Sequence, residues 1–467
     1  MSRSVLRIAL AFALSTGASA AQEALDHHPV LAPARAEEAI YSDPSEADPF
    51  AAADRLERAR LIRAVLDRNP NLEAARQAWR SALERVPQAA SLTDPTLSYS
   101  FSPLSVGDDE VRYGQILRFG QRLPFPGKRS LRGEIARAEA DAALLGYEST
   151  RLDLAALASV LFDDYYLIHR ALEINEEHLR LLEDFQRIAT ARYAAGTAPQ
   201  QDPLQAEVEV ARLLHRRVVL GTSRDILVAQ LNALLHRRPE LSLPPPPLEL
   251  PRPGMDGLDP SQLQEQAVAS RPELLALEAE MRARKSTVEL RELDSYPDFE
   301  ATGSFNSMWN QSEHRWMVGV GINLPMRRKR IRASVAEAEA GLRQIESDRS
   351  RLEDEIRAGV RIAYQRLEEA HHVVELYLSR VLPATRDQVN AALAGFKTGG
   401  NSYLALIEAE KNQRTARLEY EEALASSYSR RAELDRQIGR LPATNGSLTA
   451  TGTEDSPTNP AGRQGDS

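Results

Sequence analysis

Leu123-Pro124-Phe125-Pro126-Gly127-Lys128-Arg129 and, 201 residues further on, Leu324-Pro325-Met326-Arg327-Arg328-Lys329-Arg330 are two versions of one junction. Each closes a stretch in which apolar and small or polar residues alternate, and each opens a long stretch almost free of proline. Before the first junction Leu97, Tyr99 and Phe101 alternate with Ser98, Ser100 and Ser102, and Leu117, Phe119 and Leu123 share one side of a return strand. Before the second, Trp316, Val318, Val320, Ile322 and Leu324 point one way while Met317, Gly319, Gly321 and Asn323 point the other. Period-two alternation is the signature of a strand with two unlike faces. After the first junction, Lys128–Tyr193 holds no proline and only two glycines, Gly133 and Gly146. As one helix this stretch would be ~99 Å long at ~1.5 Å per residue. Its counterpart, Lys329–Phe396, contains only Pro383, where a kink is expected.

Other landmarks repeat at nearly the same offset, which marks an internal duplication. Asn69-Pro70 matches Arg271-Pro272 as a helix start, Asp94-Pro95 matches Tyr296-Pro297 as a strand start, and Tyr193-Ala194-Ala195-Gly196 matches Phe396-Lys397-Thr398-Gly399. Leu204-Gln205-Ala206-Glu207 falls on Ile407-Glu408-Ala409-Glu410. The expected organisation is a signal peptide over 1–20, a disordered tail over 21–54, a first repeat over 55–238, a proline-rich connector over 239–260, a second repeat over 261–440 and a disordered tail over 441–467. Strands are expected near 95–104, 111–123, 297–309 and 315–324, long helices over 128–193 and 329–396, and tip turns over 194–202 and 397–402. Within the second long helix Ile356, Val360, Ala363, Leu367, Ala370, Val374, Tyr377 and Val381 recur in steps of four and three, a coiled-coil seam. In the first, Leu161, Ile168, Leu172, Leu179 and Leu182 form a less regular one.

Composition narrows the function. The 467 residues contain no cysteine, so thiolate metal sites, cysteine nucleophiles and a cysteine-linked lipid anchor are excluded. A net charge of −9, which becomes −11 if Arg3 and Arg7 leave with the signal peptide, argues against nucleic acid as a partner. Apart from the signal, no stretch approaches the ~20 apolar residues of a membrane-spanning helix. Strands remain the only route into a membrane, and runs of about ten residues suit one. Four strands cannot close a barrel, and open edges in lipid would leave backbone groups unpaired, so the subunit must associate. Two copies would supply eight strands and three would supply twelve.

The duplicated plan, the glycine turns with the helix starts that follow them, and Gln121-Arg122-Leu123-Pro124-Phe125-Pro126-Gly127-Lys128 resemble the TolC-like outer-membrane efflux proteins, in the cation-efflux branch typified by CzcC and CusC. The resemblance covers about residues 55–440. It implies a mainly α subunit with a small transmembrane β part, whose homotrimer forms a twelve-stranded β-barrel continued by a periplasmic α-helical barrel. It also implies an outer-membrane location in a Gram-negative bacterium, lipid around the barrel, a periplasmic adaptor, an inner-membrane pump of the RND type, heavy-metal cations as cargo, and no catalytic activity. Drugs or secreted polypeptides are alternative cargoes, and a soluble periplasmic coiled-coil scaffold is the alternative outside the family.

Site expectations follow from the same residues. Gly196, Thr197, Gly399 and Gly400 form the tip turns, where the family docks its adaptor; pure turn formation is the plainer reading. Asp202-Pro203 is expected to supply an N-cap and a first-turn proline, and Asn401 or Ser402 to cap the partner helix. The resemblance implies acidic rings near the tip, with Glu408 at a gate position and Asp202 as the repeat counterpart of Ala405, which stands where some members carry a second acid; the plainer readings are a cap for Asp202 and a solvated charge for Glu408. Trp316, Val318, Val320 and Ile322 are the lipid-facing candidates, and Arg327, Arg328, Lys329 and Arg330 a basic cluster at the membrane rim. The nine histidines show no i, i+4 pair, and neither a metal site nor a cofactor site is expected.

Overall fold

The computed structural model describes residues 49–442, apart from 51, 52, 104–113, 253, 256, 310 and 399. The expected signal peptide, most of both expected tails, the loop 106–110 and Gly399 therefore lie outside the described residues. In chain order the elements are α1 (Arg58–Arg68), α2 (Pro70–Ala90), β1 (Thr96–Ser102), β2 (Gly114–Leu123), α3 (Lys128–Ala194), α4 (Gln201–Leu234), α5 (Pro260–Ser270), α6 (Pro272–Leu293), β3 (Phe299–Asn306), β4 (Trp316–Ile322), α7 (Arg328–Leu376), α8 (Leu382–Thr398) and α9 (Tyr403–Gln437). No described helix is long and apolar enough to cross a membrane. Helix starts use local chemistry: Asn69 accepts from the Asn71 amide ahead of Pro70, and Asp259 accepts from the Ser261 amide ahead of Pro260. Arg271, which precedes Pro272, caps nothing with its side chain and instead binds Glu273 and Gln437.

The four strands form one antiparallel sheet in the order β1-β2-β3-β4, so the two repeats meet at β2–β3. Register separates two faces. Tyr99 opposes Leu117, Leu117 opposes Phe305 and Phe305 opposes Trp316, an unbroken apolar row across all four strands. On the other face Ser98 opposes Arg118, Arg122 opposes Glu300 and Thr302 opposes Gly319. The strands are seven to ten residues long, and β1, β3 and β4 are shorter than the sequence expectation.

Two features correct the reading of the helices. The second long helix does not simply kink at Pro383. A π-helical turn over Tyr377–Val381 separates α7 from α8 just ahead of the proline. A π turn inserts one residue. The buried seam Ile356, Val360, Ala363, Leu367, Ala370, Val374 accordingly resumes at Val389, Ala392 and Phe396, one residue later than its continuation through Gln388, Ala391 and Gly395. In α3 the buried positions include Phe162, Tyr165, Tyr166, Ile174, Leu179 and Leu182, while Leu161, Ile168 and Leu172 are only half-buried.

One core, around Leu56, Leu61, Val65, Ala155, Ala158, Phe162 and Leu231, also takes in Phe50, 3% exposed, from the stretch expected to be a loose tail. The connector does not hang free. Its Pro245 carbonyl accepts from the Leu56 amide at 2.9 Å, and Pro246 accepts from Arg55 at 2.9 Å. Beside it Arg58 pairs with the fully buried Asp163 and stacks over Tyr428 at 4.3 Å and Phe162 at 5.1 Å. Burial pushes the Asp163 carboxyl up to about 7, against the pull of Arg58 and the Ser429 hydroxyl.

A third link joins sheet to helices. Gly127, at φ +94°, turns the chain from β2 into α3 in a left-handed conformation that suits glycine. It buries Lys128, whose ammonium lies 2.9 Å from Asp298 and 3.4 Å from Asp294 of the other repeat. Asp298 also accepts from the Phe125 amide, and the Phe125 ring stacks on Tyr296 at 4.7 Å. Lys128→Met leaves this clamp without its cation. It is expected to lower unfolding stability in detergent by about 2 kcal/mol, below the full cost of a broken buried pair because Asp298 keeps some solvent. An unchanged urea midpoint would show that the clamp carries no stability.

Candidate functional site at the helical tip

The first tip turn is built by a helix ending in glycine. Gly196, at φ +70°, donates to the Tyr193 carbonyl at 2.9 Å, and the Thr197 amide donates to the Arg192 carbonyl at 3.0 Å. This six-to-one and five-to-two pair is a Schellman ending. Thr197 adds its hydroxyl to the same Arg192 carbonyl at 3.0 Å. The expected role of Asp202-Pro203 is corrected here: α4 starts at Gln201, its N-cap is Gln200 without a side-chain bond, and Asp202 sits in the first turn. The helix can begin early because the Asp202 amide already has the Pro199 carbonyl, and Pro203 sits where a missing N–H costs nothing.

At the second turn Ser402 is the cap, its hydroxyl accepting from the Ala405 amide at 3.2 Å. The amides of Gly400 and Asn401 both donate to the Gly395 carbonyl, at 2.8 and 3.1 Å. A Cβ at Gly395 would run into the Asn401 side chain, so this position needs glycine for close approach. Gly395 was not singled out from the sequence, although a glycine four residues ahead of Gly399 in a helix was a visible signal.

The two turns share one apolar core. Arg192 lies over the Phe396 ring at 4.6 Å, and Phe396 meets Tyr403 at 5.7 Å. Tyr403 is 2% exposed, and among the described residues its hydroxyl has no hydrogen-bond partner. Burial and the nearby Asp202 charge both push its pKa up. Asp202 is thus half-buried beside the first residue of α9, whereas Glu408 is exposed and makes no hydrogen bond or ion pair among the described residues. A groove of about 570 Å³ runs between the two helix starts, lined by Gln201, Leu204, Gln205 and Val208 of α4 and Leu404 and Ile407 of α9. Glu408 follows Leu404 by one turn. Gly196, Thr197 and Gly400 are exposed at the turns, and Gly399 lies outside the described residues.

Further along the helices a buried pair escaped the sequence reading. His178 of α3 and Glu410 of α9 are 5% and 6% exposed, with Nδ1 and Oε2 at 3.7 Å. Tyr403, Leu406, Ile407 and Glu410 follow a helical seam, so position 410 was inward by period. Burial, helped by Arg417 and Arg414, lowers the His178 pKa to about 4, and burial raises that of Glu410. The strand candidates lie far from this region in the fold. Trp316, Val318, Val320 and Ile322 project from one face of β4, 71%, 91%, 75% and 56% exposed, and Arg327, Arg328, Lys329 and Arg330 are exposed at the start of α7. No group of three or more metal-binding side chains occurs among the described residues.

A sequence model of the family described as "Outer membrane efflux protein" matches residues 61–236 and 263–440, the two segments flanking the connector. The chain belongs to this outer-membrane efflux family. It is 23% identical over 381 residues to the cobalt-zinc-cadmium resistance protein CzcC of Cupriavidus metallidurans, covering 80% of this chain and 87% of that protein. Its fold is shared with VceC of Vibrio cholerae, at a TM-score of 0.68 and 16% identity over 82% of this chain and 96% of the other. CusC superposes with a TM-score of 0.69 and 18% identity, covering 82% of this chain and 92% of the other. Family membership sets aside the soluble-scaffold alternative and places the protein in the outer membrane.

The buried histidine has a signed consequence. A His whose folded pKa lies below its ordinary 6.5 contributes stability that is present above about pH 6.5 and lost as pH falls toward about 4. The effect is bounded at about 3 kcal/mol. Glu410, raised, acts with the opposite sign and offsets part of it. Unfolding midpoints in detergent are expected to fall between pH 7 and 4.5 and to fall less in His178→Gln; equal slopes would exclude His178 as the source.

Proposed function

We propose that three copies of this chain form a passive efflux duct. In this reading β4 of one copy hydrogen-bonds to β1 of the next, and the twelve strands close one outer-membrane barrel. The helices continue the barrel into the periplasm, and the tip turns around Gly196, Thr197, Gly399 and Gly400 dock a periplasmic adaptor fed by an inner-membrane pump of the RND type. The chain itself performs no catalysis and needs no cofactor. The observation that carries the reading is the sheet: two free edges, and a continuous apolar face that includes Leu97, Tyr99, Phe119, Trp316, Val318, Val320 and Ile322. In water such a face would be an exposed patch; in hydrocarbon it is the correct surface. The opposite face, with Ser98, Arg118, Arg122 and Glu300, suits a wet interior.

Internal duplication supports a specific register for the intersubunit seam. Gln121 opposes Ala301 where β2 meets β3. Their repeat counterparts, at offsets of 201 and 202, are Ile322 and Tyr99. The chain has no native cysteine, so Ile322→Cys combined with Tyr99→Cys, or with its same-face neighbour Phe101→Cys, is expected to give covalent dimers and trimers on oxidation. Only monomers in membrane-inserted protein would sink the closed ring.

The cargo we assign is heavy-metal cations, supported by the likeness to the cobalt-zinc-cadmium resistance protein CzcC. Asp202 and Glu408, each repeated around a threefold axis near the tip, would repel one another and attract cations. Asp202→Asn with Glu408→Gln is expected to reduce cation preference and alter single-channel conductance. Identical conductance and selectivity would remove both acids from the gate.

A further inference from the structure

The two junctions with which the repeats begin their long helices share a lysine but not its environment. Lys128 is buried, and Asp298 and Asp294 of the other repeat neutralise it. Its counterpart Lys329 is exposed, and so are Arg327, Arg328, Arg330 and Arg332 around it. None of these five side chains forms an ion pair or hydrogen bond among the described residues. The ten residues Arg327–Ala336 contain no acid, and the first turn of α7 has neither an acidic residue nor a side-chain cap.

In the proposed trimer, which the following rests on, the next copy presents its α2–β1 connection in the position that α6–β3 occupies beside Lys128. The offset of 202 places Leu92 and Thr96 where Asp294 and Asp298 stand. The one acid between Arg85 and Ser102 is Asp94. That connection therefore offers one acid against five cations, and the clamp that buries Lys128 cannot be repeated between copies. The cluster adjoins the apolar face directly. Leu324 and Met326, 71% and 83% exposed, extend the row of β4 up to Arg327. The upper part of α7 has no fully buried residue before Ile356, and among the described residues none pairs with the exposed side chains of Arg327–Arg330.

An apolar band ending in unpaired cations matches an acyl chain topped by a phosphate. Guanidinium groups bind phosphate oxygens in pairs, and free amides at a helix start add donors. We infer that Leu324–Arg332 is a binding site for anionic phospholipid headgroups at the periplasmic edge of the barrel, with phosphate held by Arg327, Arg328, Lys329 and Arg330 and acyl chain against Leu324 and Met326.

The test uses the full-length protein reconstituted in vesicles of phosphatidylethanolamine with equimolar phosphatidylglycerol, followed by extraction and native mass spectrometry of retained lipid. Wild type is expected to retain phosphatidylglycerol over phosphatidylethanolamine by about tenfold, given several basic groups at the surface. That preference should collapse in ~1 M salt. Arg327→Gln, Arg328→Gln, Lys329→Gln and Arg330→Gln together should abolish it, whereas Arg327→Lys, Arg328→Lys and Arg330→Lys should keep most of it. A preference that survives the four glutamines overturns the site. So does an Asp94→Asn variant that loses subunit cohesion and lipid preference to the same extent as the four-glutamine variant, because the cluster then serves the next copy. Wild type that enters neither these vesicles nor vesicles of phosphatidylethanolamine alone defeats the duct reading itself; entry into both without lipid preference defeats only this inference.

Discussion

A backbone N–H or C=O at the edge of a sheet has no water to bond in hydrocarbon, and each unpaired group costs several kcal/mol. This sheet has four strands and two such edges. The architecture is arranged around that constraint. The duplication already solves it once inside the chain, where β2 and β3 pair across the repeat boundary. The proposed assembly solves it again between copies with the same geometry. The helices inherit their positions from the strands: α3 lies between α2 of its own repeat and α6 of the other, while no helix packs on the corresponding flank of α7 among the described residues.

The clamp of Lys128 with Asp294 and Asp298 transmits sheet geometry to the helices. A buried cation with two partners holds the angle at which α3 leaves the membrane sheet, and the left-handed Gly127 makes the turn short enough to bury it. At the second junction the same lysine is left in solvent among arginines. Duplicated sequence thus serves two different environments, one inside the chain and one outside it. A similar asymmetry appears near the tip, where Glu207 is exposed and its counterpart Glu410 is buried against His178.

The tip combines rigidity with uncommitted charge. Schellman and serine-capped ends, the Arg192–Phe396–Tyr403 stack and the close approach of Asn401 to Gly395 hold the turns. Asp202 and Glu408 are left outside that network of hydrogen bonds. Side chains so placed are available to an axis or a partner, in contrast to Arg58 and Asp163, which are consumed in holding α1, α3 and α9 together.

The periodicities, junctions and offset in the sequence by themselves determined the duplicated plan, the strand faces and the long helices, because those are local properties that a period of two or of three and four residues records directly. Helix starts at Pro70 and Pro272 were legible for the same reason. Only tertiary structure decided which charges are buried. Asp163, Lys128, His178 and Glu410 look in sequence like solvated residues, and their fate depends on what the other repeat brings opposite. It also decided that α4 begins ahead of Asp202, and that a π turn over Tyr377–Val381 shifts the seam by one residue before Pro383. The first rests on the turn that gives the Asp202 amide the Pro199 carbonyl, and the second brings Val389, Ala392 and Phe396 into one core with Leu182, Phe185, Leu213 and Tyr403, whatever each helix would do alone.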